Sequence, residues 1–100
     1  LYDVLNNFAE FIKTLDKNVM VWGNGAIFDI GILENAYYTC GFKELPWKHR
    51  NVLDVRTLVY FNRKIKENMP FVGIKHNPID DCKYQIKYCH EIWKTITINK

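Results

Sequence analysis

Val19-Met20-Val21-Trp22-Gly23-Asn24-Gly25-Ala26-Ile27-Phe28-Asp29 decides the fold. The apolar run Val19 to Trp22 is too short for a buried helix and suits a central, fully buried strand of a largely parallel sheet. Gly23-Asn24-Gly25 ends the run with a turn that tolerates positive φ. From Phe28 to about Thr39 the period changes to helical: Ile30, Leu33, Tyr37 and Cys40 share one face, and Gly41 is a good C-terminal stop. A strand running straight into a helix is the building unit of an α/β layer structure.

Upstream, Leu5, Phe8, Ile12 and Leu15 recur at helical spacing with Phe11 beside them. Asp3 is placed to cap that helix, and Asp16-Lys17-Asn18 ends it. Downstream, residues 42 to 51 are irregular and carry Pro46, Trp47 and His49. Val52-Leu53 reads as a short strand, and Asp54 as the cap of a helix through Val55, Leu58, Val59, Asn62 and Ile65. Residues 67 to 80 form a loop, and a last helix runs from about Asp80 to Ile96 with Cys82, Ile86, Cys89, Trp93 and Ile96 inward.

The resulting order is helix, strand, helix, short strand, helix, helix. One or two strands cannot cover the apolar faces of four helices, and a central parallel strand needs a neighbour on each side. The chain starts at Leu1 and therefore reads as the C-terminal part of a single α/β domain over residues 1–100.

Composition narrows the function classes. A chain that is 48% hydrophobic and 15% aromatic is globular. The net charge of +3 is compatible with a polyanionic partner without arguing for one. The basic cluster Arg63, Lys64 and Lys66 reads first as a solvated helix face. Three cysteines, Cys40, Cys82 and Cys89, make an odd number without Cys-x-x-Cys spacing, which fits a reducing compartment, and Cys82 and Cys89 read as small buried thiols. A zinc site from Cys82, Cys89 and His90 is disfavoured, because consecutive residues point in different directions. No apolar run approaches the ~18 residues that span a bilayer.

Two segments carry chemistry. Asn24-Gly25-Ala26-Ile27-Phe28-Asp29 puts a carboxylate just past a strand, where open α/β sheets bind ligands. His76-Asn77-Pro78-Ile79-Asp80-Asp81 puts an imidazole on a loop and carboxylates in the first turn of a helix. Asp29, Asp80 and Asp81 each have a simpler reading as helix-terminus acids. His76 has one as an exposed loop residue, the reading also given to His49 and His90. The combination carries the weight. Phosphodiester hydrolysis needs an activated water, a stabilised phosphorane and a stabilised leaving oxygen. Two divalent ions ~3.5–4 Å apart on carboxylates supply these, and an imidazole titrating near neutrality suits the proton transfer.

The first segment resembles the second exonuclease motif of the DnaQ-like DEDD superfamily, and His76 to Asp81 resembles the third motif of its histidine (DEDDh) branch. The tyrosine branch would place Tyr where Asn77 stands. Val21-Trp22-Gly23-Asn24-Gly25 and Asp54-Val55-Arg56-Thr57-Leu58 look like the phage exonuclease A type and related bacterial exoribonuclease domains, over roughly residues 19 to 93. The resemblance implies an incomplete ribonuclease-H-like three-layer α/β fold without its N-terminal strands. It implies 3′→5′ exonuclease action on the 3′ end of single-stranded DNA or RNA, with two Mg²⁺ or Mn²⁺ ions, in the cytoplasm of a bacterium or phage-infected host; a homodimer is compatible. Carried over, Asp29 and Asp81 are metal ligands and His76 the general base. Asn24 and Phe28 line the terminal nucleotide, with Phe28 as core an equal alternative, and Asp54 is a supporting helix cap. The family's first motif, Asp-x-Glu, occurs nowhere in these 100 residues. This isolated chain is therefore expected to be inactive. A degenerate nucleic-acid-binding module relying on Arg63, Lys64 and Lys75 is the alternative, and a structural domain with accidental motif matches is the third reading.

Overall fold

The computed structural model describes residues 1–97. The chain forms two compact units, residues 1–54 and residues from Val55 onward. It is a mixed α/β structure, mostly helical, with one small parallel sheet.

The first unit holds helix α1 (Tyr2–Lys13), strand β1 (Val21–Gly23), helix α2 (Ala26–Thr39), a 3₁₀ turn (His49–Asn51) and strand β2 (Val52–Asp54). Asp3 does not cap α1: the cap position is Leu1, and Asp3 lies inside the first turn, where its charge still meets the positive end of the helix. The predicted break is real, with the Asp16 carboxylate accepting from the Asn18 N–H at 2.7 Å. Leu15 lies beyond the helix and is exposed rather than inward.

β1 and β2 pair in parallel, with Val21 opposite Val52, Trp22 opposite Leu53 and Gly23 opposite Asp54. The expectation of a fully buried central strand is corrected. The sheet has two strands among the described residues, and Trp22 is 47% exposed. Gly23 is there for close approach: a Cβ on it would lie 2.9 Å from the Ala26 Cα and 3.3 Å from the Ile30 Cγ1. That lets α2 start directly over the end of the strand.

α2 buries Ala26, Ile30 and Tyr37, with Leu33 and Cys40 half-buried on the same face, against Leu5 and Ala9 of α1 and against Trp47. The helix ends as the glycine predicts. Gly41, at φ +89, donates to the Tyr38 carbonyl at 3.0 Å, and Phe42 donates to that of Tyr37 at 3.1 Å. Phe42 then packs edge-on against Tyr37 at 5.0 Å, completing a Schellman cap with its apolar contact. The Tyr37 ring is fully buried, and its hydroxyl donates to the Leu5 carbonyl at 2.8 Å, joining α2 to α1.

The second unit holds α3 (Val55–Tyr60), α4 (Arg63–Asn68) and α5 (Pro78–Thr97). The single helix expected over residues 55 to 65 is two. The Phe61 and Asn62 N–H groups fall back on the Leu58 and Val59 carbonyls, tightening the last turn, and Asn62 at φ −161 turns the chain before α4. α5 buries Tyr88 and Ile92, which pack with Val55 and with the half-buried Leu58, Val59, Ile65, Met69, Tyr84 and Cys89. The predicted inward face is therefore rotated. Cys82, Ile86, Trp93 and Ile96 are exposed, and only Cys89 lies toward the core. Tyrosine takes the place of those residues, because its ring fills a core when its hydroxyl finds a partner. Tyr84 shares its hydroxyl proton between the carbonyls of Met69 (3.0 Å) and Lys66 (3.2 Å), and its ring meets Phe71 at 5.0 Å and Tyr88 at 5.1 Å. Burial pushes the Tyr88 phenol up to about 12, with Cys89 and Tyr84 adding and Arg56 opposing. Burial also pushes the Cys89 thiol up, against the pull of Lys66.

Candidate functional site

The first segment occupies the end of β1 and the start of α2. Gly25 sits at the cap position of α2 and brings no side chain to the exposed amides of the first turn. Asp54 supplies the missing acceptor from the neighbouring strand. Its Oδ1 accepts from the Gly25 N–H at 3.2 Å and its Oδ2 from the Ala26 N–H at 3.1 Å. The supporting cap expected of Asp54 thus acts on α2, across the sheet. The parallel register, Gly23 beside Asp54, makes that reach possible.

α2 begins at Ala26, two positions before the predicted Phe28. Asn24 is half-buried in the turn, Phe28 is 72% exposed, and Asp29 is exposed in the first helical turn. The core alternative for Phe28 fails, since the ring faces away from the cluster built on Ile30 and Tyr37. Asp29 is held through its backbone, its N–H donating to the Gly25 carbonyl at 3.1 Å, which leaves its carboxylate turned to solvent.

The second segment is built around the start of α5. Neither Asp80 nor Asp81 is the cap; the helix begins at Pro78, and the Asn77 Oδ1 accepts from the Ile79 and Asp80 N–H groups at 3.1 Å each. Pro78 follows as the first helical residue, where its missing N–H costs nothing. The Asn-Pro pair was a readable signal for this start. Freed from capping, both aspartates reach back to the loop. The Asp80 Oδ2 accepts from the Ile74 N–H at 3.0 Å, and the Asp81 Oδ1 from the His76 N–H at 3.2 Å.

His76 itself lies at φ +69, a left-handed conformation that a non-glycine side chain adopts at some cost. Asp81 holds it there. The spacing of His76 and Asp81 thus places a carboxylate directly on the backbone of the histidine, and the imidazole projects from an exposed loop. Pro78, the Asn77 cap and the two aspartate hydrogen bonds tie this loop to the start of α5.

Carboxylate oxygen is the right donor chemistry for Mg²⁺ or Mn²⁺. The number of donors falls short: no group of three His, Cys, Asp or Glu positioned to hold a metal occurs among the described residues. Asp81 has already committed one oxygen to His76, and Asp29 belongs to the other unit.

A parallel strand pair carrying an aspartate past its end, and a histidine loop clamped by a helix-start aspartate, are parts of a mixed α/β nuclease-like domain. The chain belongs to the family of 3′-5′ exoribonuclease Rv2179c-like domains, whose model matches residues 1–93. No curated protein and no solved structure matches it.

Proposed function

We propose that this chain forms part of a metal-dependent 3′→5′ exonuclease of the DEDDh type that removes nucleotides from single-stranded RNA, with single-stranded DNA as a second substrate. The observation that carries the reading is the Asp81–His76 clamp within a chain of exoribonuclease-domain family.

His76 is the general base and takes a proton from the attacking water. Its loop position lets the ring stand over a scissile phosphate, and the Asp81 clamp fixes the backbone from which the ring swings. Asp29 and Asp81 are two of the metal carboxylates, each placed at a helix start by main-chain hydrogen bonds. Divalent ions held by Asp29, Asp81 and further carboxylates would supply charge stabilisation to the reacting phosphate and to the leaving 3′ oxygen. Asn24 and the exposed Phe28 ring contact the terminal nucleotide, the ring by stacking on its base. Further carboxylates complete the metal set, since Asp29 and Asp81 alone do not.

The test is Mn²⁺-dependent shortening of a 5′-labelled single-stranded RNA by the full-length gene product, beside His76→Asn and Asp29→Asn variants. The reading predicts a ladder that both variants lose and that a blocked 3′ end prevents. RNA binding without any ladder would instead assign a non-catalytic binding module.

A further inference from the structure

The second unit has a cleft that the catalytic reading leaves unused. It lies between the loop at Pro70, Val72 and Gly73 and one stripe of α5, and its volume is about 280 Å³. The stripe carries Asp80, Lys83, Tyr84 and Lys87, which helical spacing places on a single face.

The shape of the cleft is built in. Gly73 sits at φ +112, and a Cβ there would come within 2.6 Å of the Asp80 carboxylate, so only glycine lets the loop lie this close to α5. Asp80 closes the end of the cleft by accepting from the Ile74 N–H at 3.0 Å, which turns part of its charge onto the loop. Tyr84 forms a fixed wall, its hydroxyl committed to the Met69 and Lys66 carbonyls and its ring held between Phe71 and Tyr88.

Against these walls stand two exposed cations. Lys83 and Lys87 line the cleft, are exposed, and have no ion-pair partner among the described residues. They lie one helical turn apart, about 6 Å along the axis. Pro70 and Val72 give an apolar rim opposite them. An ammonium pair facing an apolar rim fits a ligand that is anionic on one side and apolar on the other. At the small end of ligand pockets, the volume holds roughly one nucleotide unit rather than a folded segment.

We propose that this cleft is a binding site for the phosphate backbone of the RNA strand, with Lys83 and Lys87 contacting phosphates and Pro70 and Val72 carrying the adjoining sugar or base. The inference rests on the exonuclease reading, because it takes the ligand to be the same strand whose 3′ end meets His76 and Asp81. Asp81 lies in the first turn of the helix that carries Lys83 and Lys87, and His76 in the loop just before it, so the site holds the strand beside the scissile bond. It positions substrate and does no chemistry.

The test is fluorescence anisotropy of a 5′-labelled single-stranded RNA with EDTA present, across a salt series, for the full-length protein and its Lys83→Ala/Lys87→Ala variant. Each phosphate contact on a single strand contributes about 0.7 to the slope of log affinity against log salt, so losing two flattens it by about 1.4, and low-salt binding weakens roughly tenfold. Lys83→Arg/Lys87→Arg restores both. An unchanged slope and affinity in the alanine variant would overturn the cleft assignment while leaving the exonuclease reading intact. A wild-type protein that neither binds RNA in this assay nor shortens it in Mn²⁺ would overturn both. Polyglutamate binding that is lost in the alanine variant, together with RNA binding that is not, would overturn the assignment to RNA in favour of an acidic peptide.

Discussion

Replacing Gly73 with alanine tests how the loop that carries His76 is held. At φ +112 an alanine backbone is strained by about 1–2 kcal/mol. Its Cβ would also fall 2.6 Å from the Asp80 Cγ and Oδ2, so that carboxylate must swing away. Swinging it breaks the 3.0 Å bond from the Ile74 N–H, which forfeits about 1 kcal/mol at an exposed site. The expected loss is about 2–3 kcal/mol, and with a urea slope of about 1–3 kcal/mol/M the midpoint falls by roughly 1–2 M. A double-mutant cycle separates the contributions. Asp80→Ala alone loses the same hydrogen bond, but added to Gly73→Ala it loses nothing further and relieves the overlap, giving a coupling of about 1 kcal/mol. Urea unfolding followed by far-UV circular dichroism reads both. A Gly73→Ala midpoint within about 0.2 M of wild type, or strictly additive substitutions, would refute the claim that glycine is required by close approach to Asp80.

Tyr37→Phe removes the hydroxyl that joins α2 to the Leu5 carbonyl, and should lower stability by about 1–2 kcal/mol in the same assay. Tyr88 gives an alkaline signature. Its phenol is raised from 10.0 to about 12, so its contribution is complete below pH 10 and is lost as pH climbs toward 12, amounting to roughly 2–3 kcal/mol. Tyr88→Phe should therefore flatten the pH dependence of stability in that window, as read by urea midpoints at pH 9 to 12. His76→Asn keeps a residue that tolerates the left-handed backbone. Thermal melting should stay within about 0.5 kcal/mol of wild type, while the rate of RNA shortening drops by about 10²–10⁴, the usual contribution of a general base.

The strand-turn-helix at Val21–Thr39 was legible because three local signals agree there: an apolar run, a glycine turn and a helical period ending at Gly41. The helix face of α2 was read correctly for the same reason. The α5 face was not, because Tyr84 and Tyr88 count as amphipathic in a sequence, and only the backbone carbonyls that receive the Tyr84 hydroxyl show that its ring belongs inside. The break between α3 and α4 was invisible to periodicity, since Leu58, Val59 and Ile65 all reach the same core from two short helices. At the candidate site, the residue types were legible and their jobs were less so. Aspartates at helix starts read as caps, yet Asn77 caps α5, Asp54 caps a helix it does not precede, and Asp80 and Asp81 bind the loop before them. Such long-range acceptors depend on strand register and loop closure, which no local window of sequence contains.

The most direct measurement is the 3′→5′ shortening of a 5′-labelled single-stranded RNA in Mn²⁺ by the full-length gene product and by its Asp81→Asn variant. Asparagine keeps an oxygen to accept from the His76 N–H and removes only the charge, so the loop keeps its backbone clamp. The account predicts a ladder from the wild-type protein and none from a folded Asp81→Asn variant. A ladder of equal rate from that variant would contradict the assignment of Asp81 as a metal carboxylate, and with it the exonuclease mechanism proposed for this site.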